Sequence, residues 1–344
     1  MLRVSSTNFI SSNTNWVRQR FVNHRTVHSL LAASLTVTPS CPNHHFEPWQ
    51  AVWPSLADLE PYVPLLWPPE LQNLLPHRAR TYLAEQQARF DRDWEDARPT
   101  LPEGSYNKFR HFWLVVNTRC FFWPYNRWPP RTNKSKRGRP PAKLSTADQM
   151  ALCPVADCFN HSDILNASFE ADLTGCRVSV EQDVNAGDEL FLRYGTPNND
   201  YLLVEWGFVL SVNLHDNVSI DDAIIPWLDD SKKALLVNYN YFGKYTLSKE
   251  GVCHRTQCAV RTILFGYDEN KVKLFLSGND DGTAEQPVVD AWLLGFLKLQ
   301  LEGLSDFMAG LGRIDDSPQR DVLLKRYQQI QWLFAEVIHS GLHN

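Results

Sequence analysis

Ala151-Leu-Cys-Pro-Val-Ala-Asp157-Cys-Phe-Asn160-His161-Ser162 opens the stretch on which the fold turns. Val184-Asn-Ala-Gly187-Asp188-Glu189-Leu-Phe-Leu-Arg193-Tyr194-Gly195 comes next, and then Asn198-Asn199-Asp200-Tyr201-Leu-Leu-Val-Glu-Trp206-Gly207-Phe208-Val209. Taken alone, Asn-His is only a polar pair, and an Asx-type turn explains such a pair without any chemistry. The order carries more. An acid and an Asn-His-Ser turn precede a segment ending in Tyr-Gly, and Gly-Phe comes about a dozen residues after that. Around these motifs the hydropathy alternates: Cys176 to Gln182 through Val178 and Val180, and Glu189 to Tyr194 through Leu190 and Leu192. With turns at Thr174-Gly175 and Ala186-Gly187-Asp188, the two stretches are expected to pair as antiparallel strands.

Upstream the period changes. Leu71, Leu74, Leu75, Tyr82, Leu83, Phe90 and Trp94 recur at helical spacing between Glu70 and Asp96, after Pro68-Pro69 and before Pro99, which predicts an amphipathic helix. Phe109, Phe112, Trp113 and Val116 predict a second, running into Asn117-Thr118-Arg119-Cys120-Phe121. From Arg127 to Lys143 lie seven positive residues, four prolines and no acid. Within this stretch Lys136-Arg137-Gly138-Arg139-Pro140 resembles an AT-hook core, whose arginines enter the minor groove of A·T-rich DNA. A nuclear-localisation patch and a solvated loop with neither role are its other readings. Downstream, Val288 to Leu304 and Arg320 to Ile338 return to a helical period, so the C-terminal third reads as mainly helical.

The 344 residues allow one large domain or two, and 43% hydrophobic residues with 12 tryptophans supply a core. The net charge of −5 argues against nucleic-acid binding by the bulk surface. No run approaches the roughly 18 apolar residues that a membrane span needs, so no membrane partner is expected. Seven cysteines at irregular positions read as reduced thiols of an intracellular protein. The C-x4-C pairs Cys153/Cys158 and Cys253/Cys258, with His161 or His254, offer zinc ligands, but the usual C-x2-C knuckle is absent. Residues 1–46 contain no acid and carry Arg3, Arg18, Arg20 and Arg25. They read as a disordered or targeting-like leader, with folded sequence starting near Trp49. That leader points towards mitochondria and the basic loop towards the nucleus; the nucleus or cytoplasm is the expected compartment, with the mitochondrion as the alternative.

The three quoted segments resemble the SET-domain protein lysine methyltransferases. More narrowly, they resemble the Rubisco large-subunit methyltransferase-like branch in its fungal form. Its pattern is Pro-x-x-Asp-x-x-Asn-His-Ser, then Gly-Glu-Glu-(apolar)-x-x-x-Tyr-Gly, then Asn-x-x-Leu-Leu-x-x-Tyr-Gly-Phe, met almost continuously over residues 154–209. The segments at 117–121 and 253–261 are similar to stretches of the same branch. The resemblance implies an α+β fold: a SET-type core of small antiparallel β-sheets with a helical insertion and a mainly helical C-terminal lobe. The domain reading is then a SET domain over 47–211, interrupted by helices at 70–125 and the basic loop at 127–143, with a substrate-binding-like lobe over 212–344.

The implied activity is transfer of a methyl group from S-adenosylmethionine to a protein lysine, on a non-histone protein more readily than a histone tail. Tyr194 would be the active-site tyrosine. Asn160, His161, Trp206 and Arg119 would contact the methyl donor, and Phe208, Phe159 and Phe121 would wall the lysine channel. For Arg119 a salt bridge to Asp157 is an equal reading. Trp206 stands where the family has Tyr, replacing a hydroxyl by an N–H. No metal is implied. The family's N-terminal Gly-x-Gly turn is not found: the first glycine is Gly104, and the only Gly-x-Gly is Gly310/Gly312. A catalytically inactive SET-derived protein- or DNA-binding module is therefore the rival expectation.

Overall fold

A computed structural model describes residues 1–11, 14, 16–17, 26–38, 47–125 and 149–342. The hook-like segment Lys136 to Pro140 lies outside them. The described chain forms two compact units, Met1–Leu66 with Leu83–Thr196 and Glu205–Val212, and Trp67–Tyr82 with Pro197–Val204 and Asn213–Asn344.

The first unit begins with strands β1 (Leu2–Ser5) and β2 (Ile10–Ser11), helix α1 (Val27–Val37), and most of helix α2 (His77–Ala97). Helix α3 (Tyr106–Arg119) runs directly into β3 (Cys120–Phe122). Strands β4 (Met150–Leu152), β5 (Asn160–His161), β6 (Ala167–Asp172), β7 (Gly175–Val180) and β8 (Phe191–Leu192) complete it. They form three small sheets: β1-β7-β6 and β2-β4-β3, both antiparallel, and the parallel pair β5-β8. The α+β expectation is met.

The leader reading is corrected. Leu2 to Ser5 pair with Val178 to Gly175, and α1 is buried over almost its whole length. A short helix buried on every face belongs inside a core, its few polar side chains bonded internally, which is why it carries no acid. Thr26 caps it by accepting from Ser29 N–H. Its His28 stacks on Trp113 of α3 at 4.4 Å and 11°, and His28 Nε2 donates to the Trp113 carbonyl at 2.9 Å. Burial lowers the His28 pKa. Asp93 of α2 accepts from Thr26 Oγ1 and from Trp113 Nε1, each at 2.8 Å, so one buried carboxylate ties α1, α2 and α3 together.

The strand pairing is corrected as well. Cys176 to Val180 pair with 167–171 across the Thr174-Gly175 turn, not with 189–194. A two-residue turn brings its own flanking strands together first. A Cβ on Gly175 would lie 2.0 Å from the Val4 carbonyl, so only glycine lets β1 approach the hairpin here. Phe191 and Leu192 are released to pair with the Asn160-His161 motif.

The second unit contains the start of helix α4 (Asn199–Trp206), then β9 (Asn217–Ser219), α5 (Asp230–Asn238), β10 (Thr246–Ser248) and β11 (Gly251–Val252). Helices α6 (His254–Phe265), α7 (Glu269–Leu276), α8 (Gln286–Leu311) and α9 (Pro318–Ser340) come after them. Prolines at the first turns of α8 and α9 and the left-handed Gly341 after α9 set those helix ends. At its centre Arg326 is wholly buried; its Nε donates to Asp200 Oδ1 at 2.7 Å and its Nη1 to Asp216 Oδ2 at 2.6 Å. Two carboxylates and one guanidinium out of water are tolerable only while they face one another. Arg326→Met is expected to lower stability by about 3–5 kcal/mol, since two acids lose their counter-charge. Adding Asp200→Asn and Asp216→Asn should recover part of that loss. Urea unfolding reads both, and a single-variant change below about 1 kcal/mol would show that the triad is not an energetic element.

Candidate active site

Helix α3 stops at Arg119 because Cys120 turns extended, which carries Thr118, Arg119, Cys120 and Phe121 around one corner of the first unit. β3 pairs with β4, and β4 leads into Cys153-Pro154 and a one-turn helix at Ala156–Cys158. Val155, just before that turn, has φ 68°. A β-branched residue is strained there, and the bend it makes precedes the buried Asp157.

The Asp157 side chain is fully buried and forms the hub of the corner. Trp49 Nε1 donates to its two oxygens at 2.8 and 3.0 Å. Arg119 Nη1 donates to the Asp157 carbonyl at 3.0 Å and to Oδ2 at 3.3 Å. Burial pushes the Asp157 carboxyl up, with Trp49 and Arg119 opposing. Arg119 therefore makes the salt bridge to Asp157 and also lines a cavity.

That cavity, of about 380 Å³, is lined among others by Thr118, Arg119, Phe121, Asp157, Phe169, Tyr194 and Trp206. Phe121 stacks on Phe169 at 4.5 Å and 28°. The Tyr194 ring lies 5.1 Å from His161 at 21° and 5.5 Å from Trp206 at 44°. Its hydroxyl donates to the Phe159 carbonyl at 2.7 Å, which leaves the oxygen lone pairs to accept. Burial pushes the phenol up to about 12, so Tyr194 is a protonated phenol at neutral pH.

His161 braces this tyrosine from behind. Its Nδ1 lies 3.2 Å from Tyr194 N and 3.3 Å from the Leu192 carbonyl. A backbone N–H can only donate, so accepting that bond makes Nδ1 an acceptor and puts a ring proton on Nε2. The Trp206 indole donates to the Thr118 carbonyl at 3.2 Å, so its N–H is spent on the protein.

Of the expected site residues, Tyr194, Arg119, Trp206 and Phe121 line the cavity. His161 stacks under Tyr194, Phe159 contributes its carbonyl, and the Phe208 ring is 6.4 Å from His161. Asn160 is exposed and donates to Glu189 Oε1 at 2.5 Å. Sequence reading missed Trp49 and Phe169, which reach the site through tertiary packing. It also passed over Glu205, a buried carboxylate beside Trp206 that accepts from Gln86 Nε2, Arg89 Nη2 and Asn117 Nδ2. An acid inside the apolar run Leu202-Leu203-Val204-Glu205-Trp206 was the available signal. Among the described residues no cluster of three or more His, Cys, Asp or Glu suits a metal.

Residues 216–340 match the family model described as the Ribosomal lysine N-methyltransferase 2 C-terminal domain. The chain is 26% identical over 256 residues to Ribosomal lysine N-methyltransferase set11 of Schizosaccharomyces pombe, covering 69% of this chain and 62% of that protein. To Ribosomal lysine N-methyltransferase 2 of Saccharomyces cerevisiae it is 25% identical over 280 residues, covering 68% and 55%. The chain thus spans somewhat over half the length of these relatives. In structure it is similar to the SET domain of LSMT, solved with lysine and AdoHcy, at a TM-score of 0.60 and 14% identity, covering 99% of this chain and 82% of that one. Fold and sequence likeness agree: the chain has the fold of the LSMT SET domain and is similar in sequence to fungal ribosomal lysine N-methyltransferases.

Proposed function

We propose that this chain is an S-adenosylmethionine-dependent protein-lysine N-methyltransferase. The observation that carries the reading is Tyr194, a buried phenol braced on His161 and facing an aromatic-walled cavity with Trp206, Phe121 and Phe169. The cavity suits a sulfonium-bearing donor, since aromatic faces attract a weakly hydrated cation and the Tyr194 oxygen adds an acceptor. When bound, the donor supplies an electrophilic methyl group on a positively charged sulfur.

The residues of this chain then have separate tasks. Phe121, Phe169 and Trp206 keep water away from a lysine stem and disfavour its charged form. Tyr194, fixed by Phe159 and His161, holds the amine by its oxygen without taking a proton, because its own pKa is too high to make it a base. The amine proton would leave to solvent before transfer, which frees the nitrogen lone pair for the methyl group that the donor would supply, the donor's thioether being the leaving group. Arg119, anchored by Asp157, fixes the cavity's polar corner. The relatives carry ribosomal lysine methyltransferase names, which supports a ribosomal protein as substrate and a non-histone target.

Isothermal titration with S-adenosylmethionine and methyl transfer to a ribosomal protein extract test the proposal. Saturable binding with methyl-lysine formation is expected, whereas absence of binding would leave a SET-derived docking module in its place. Tyr194→Phe should keep donor binding and slow transfer by roughly 10²-fold, the usual scale for one lost polar contact at a reacting centre. Equal rates would remove the assignment.

The pH profile separates lysine from tyrosine. The free substrate lysine has an ordinary pKa of about 10.4, so kcat/KM should rise about tenfold per pH unit at neutral pH. Tyr194, held near 12, adds no step there, and a Tyr194→Phe profile should keep the same slope. Asp157→Asn is expected to cost about 2 kcal/mol in urea unfolding, as bonds to a charged acceptor become bonds to a neutral one. Its transfer rate should fall as Arg119 loses its anchor.

A further inference from the structure

We infer that Glu205 is a positioning residue of the methyl-transfer site: through Asn117 it clamps the end of α3 to Trp206 and so fixes the aromatic wall of the cavity. This deepens the methyltransferase reading and rests on it for the reaction that the wall serves.

An acid is out of place at position 205 on local grounds. Glu205 is 5% exposed, follows the apolar Leu202-Leu203-Val204, and stands in the last turn of α4. Negative charge is disfavoured there, because the carbonyls at a helix C-terminus already carry a partial negative charge. An apolar side chain of similar size would avoid the desolvation cost. What the carboxylate supplies is a set of directed bonds. Its Oε1 accepts from Arg89 Nη2, and its Oε2 accepts from Gln86 Nε2 at 3.2 Å and from Asn117 Nδ2 at 3.0 Å. Donors converging on one buried carboxylate are satisfied together in one placement of the residue that carries it.

Asn117 transmits that placement to the cavity. The same Nδ2 also donates to the Glu205 carbonyl at 3.0 Å. The neighbouring pair is joined in the opposite sense, with Trp206 Nε1 donating to the Thr118 carbonyl at 3.2 Å. Segments 117–118 and 205–206 are thus bonded from both sides. Arg119, next in the chain, is bonded to Asp157, so two buried acids hold successive residues at the end of α3. Thr118, Arg119 and Trp206 all line the cavity. The clamp holds the Trp206 ring 5.5 Å from the Tyr194 ring at 44°. A ring free to tilt would change where an amine can sit beside Tyr194, and a displacement of about 1 Å at a reacting centre costs up to ~10²-fold in rate.

Fluorine NMR of the full chain labelled with 5-fluorotryptophan tests the clamp before any ligand is added, the Trp206 resonance being identified by its loss in Trp206→Phe. Glu205→Gln keeps the size of the side chain but turns an amide N–H towards donors that need an acceptor. Its Trp206 resonance is expected to shift and broaden at a temperature where circular dichroism stays native. With saturating S-adenosylmethionine and a ribosomal protein extract as acceptor, the maximal transfer rate should fall about tenfold. The extract concentration giving half that rate should stay within about threefold of wild type, as expected when the loss falls on the transfer step and not on docking. Asn117→Ala removes both bonds to Glu205 and leaves Arg89 and Gln86 in place. It should move the same resonance and slow transfer in the same way, and it decides if Glu205→Gln does not fold. A residue that serves stability alone would lower the urea midpoint and leave the folded variant with the wild-type resonance and rate; either of those unchanged readouts overturns the inference. A wild-type chain that transfers no methyl group sinks the proposed function instead, and the fluorine spectra still decide whether Glu205 holds Trp206.

Discussion

A carboxylate with no exposure to water organises the corner of the molecule that matters most. Asp157 is held by the Trp49 indole and the Arg119 guanidinium, and each brings a different part of the chain. Trp49 arrives from the N-terminal region, Arg119 from the end of α3, and Asp157 itself from the turn after β4. Losing water costs a carboxylate far more than it costs a hydroxyl or an amide, so this group stays charged and buried only if all its partners are in position. The turn it terminates delivers Asn160 and His161 to β5 in register with Phe191 and Leu192. That register places Tyr194 two residues past the pair, with its backbone N–H on His161 and its ring stacked against the imidazole. The tyrosine's position is thus a consequence of the buried acid several bonds away.

Much of this was legible in the sequence, for identifiable reasons. The order of Asp157, Asn160-His161, Tyr194 and Trp206-Gly207-Phe208 pointed to the fold because those spacings match a known arrangement of turns and short strands. The long helices were readable from the period of Leu83, Phe90 and Trp94, and from Leu323, Ile330 and Leu333. The first region was not readable. Val27 to Val37 mixes small polar residues among its apolar ones and has no amphipathic stripe, so periodicity could not tell a buried helix from a leader. Nor could alternation assign partners to strands: 175–180 and 189–194 each looked like half of a hairpin, and turn geometry decided which half. Trp49 was out of reach for a further reason. Its bond to Asp157 joins residues 108 positions apart, and no local pattern encodes such a contact.

The buried charges of the two units differ in how completely they are satisfied, and that difference has functional content. Glu205 accepts from Gln86, Arg89 and Asn117, the last of which also donates to the Glu205 carbonyl at 3.0 Å. A carboxylate so fully met rigidifies the adjoining chain. The next residue is Trp206, whose indole N–H is fixed on Thr118, so the cavity wall is set by a charge behind it and needs no ligand to hold its shape. Gly207 completes the turn with φ 83°, where a Cβ would come within 2.9 Å of the Tyr62 carbonyl, so Phe208 can leave in a direction that no other residue would permit.

Asp200, at the other end of the same helix, is the opposite case, a buried acid with one oxygen bound and one left over. Proteins rarely leave such an atom unpaired unless something else completes it. A neutral side chain would have packed against Arg326 at lower desolvation cost, leaving Asp216 as its single counter-ion. Arg78 also bears on Asp200 electrostatically, so the two acids are not out of balance with the bases around them. The Arg326 Nη2 donor is left over in the same way, so the unmet acceptor and the unmet donor belong to one triad, which joins α4, α9 and the residue before β9.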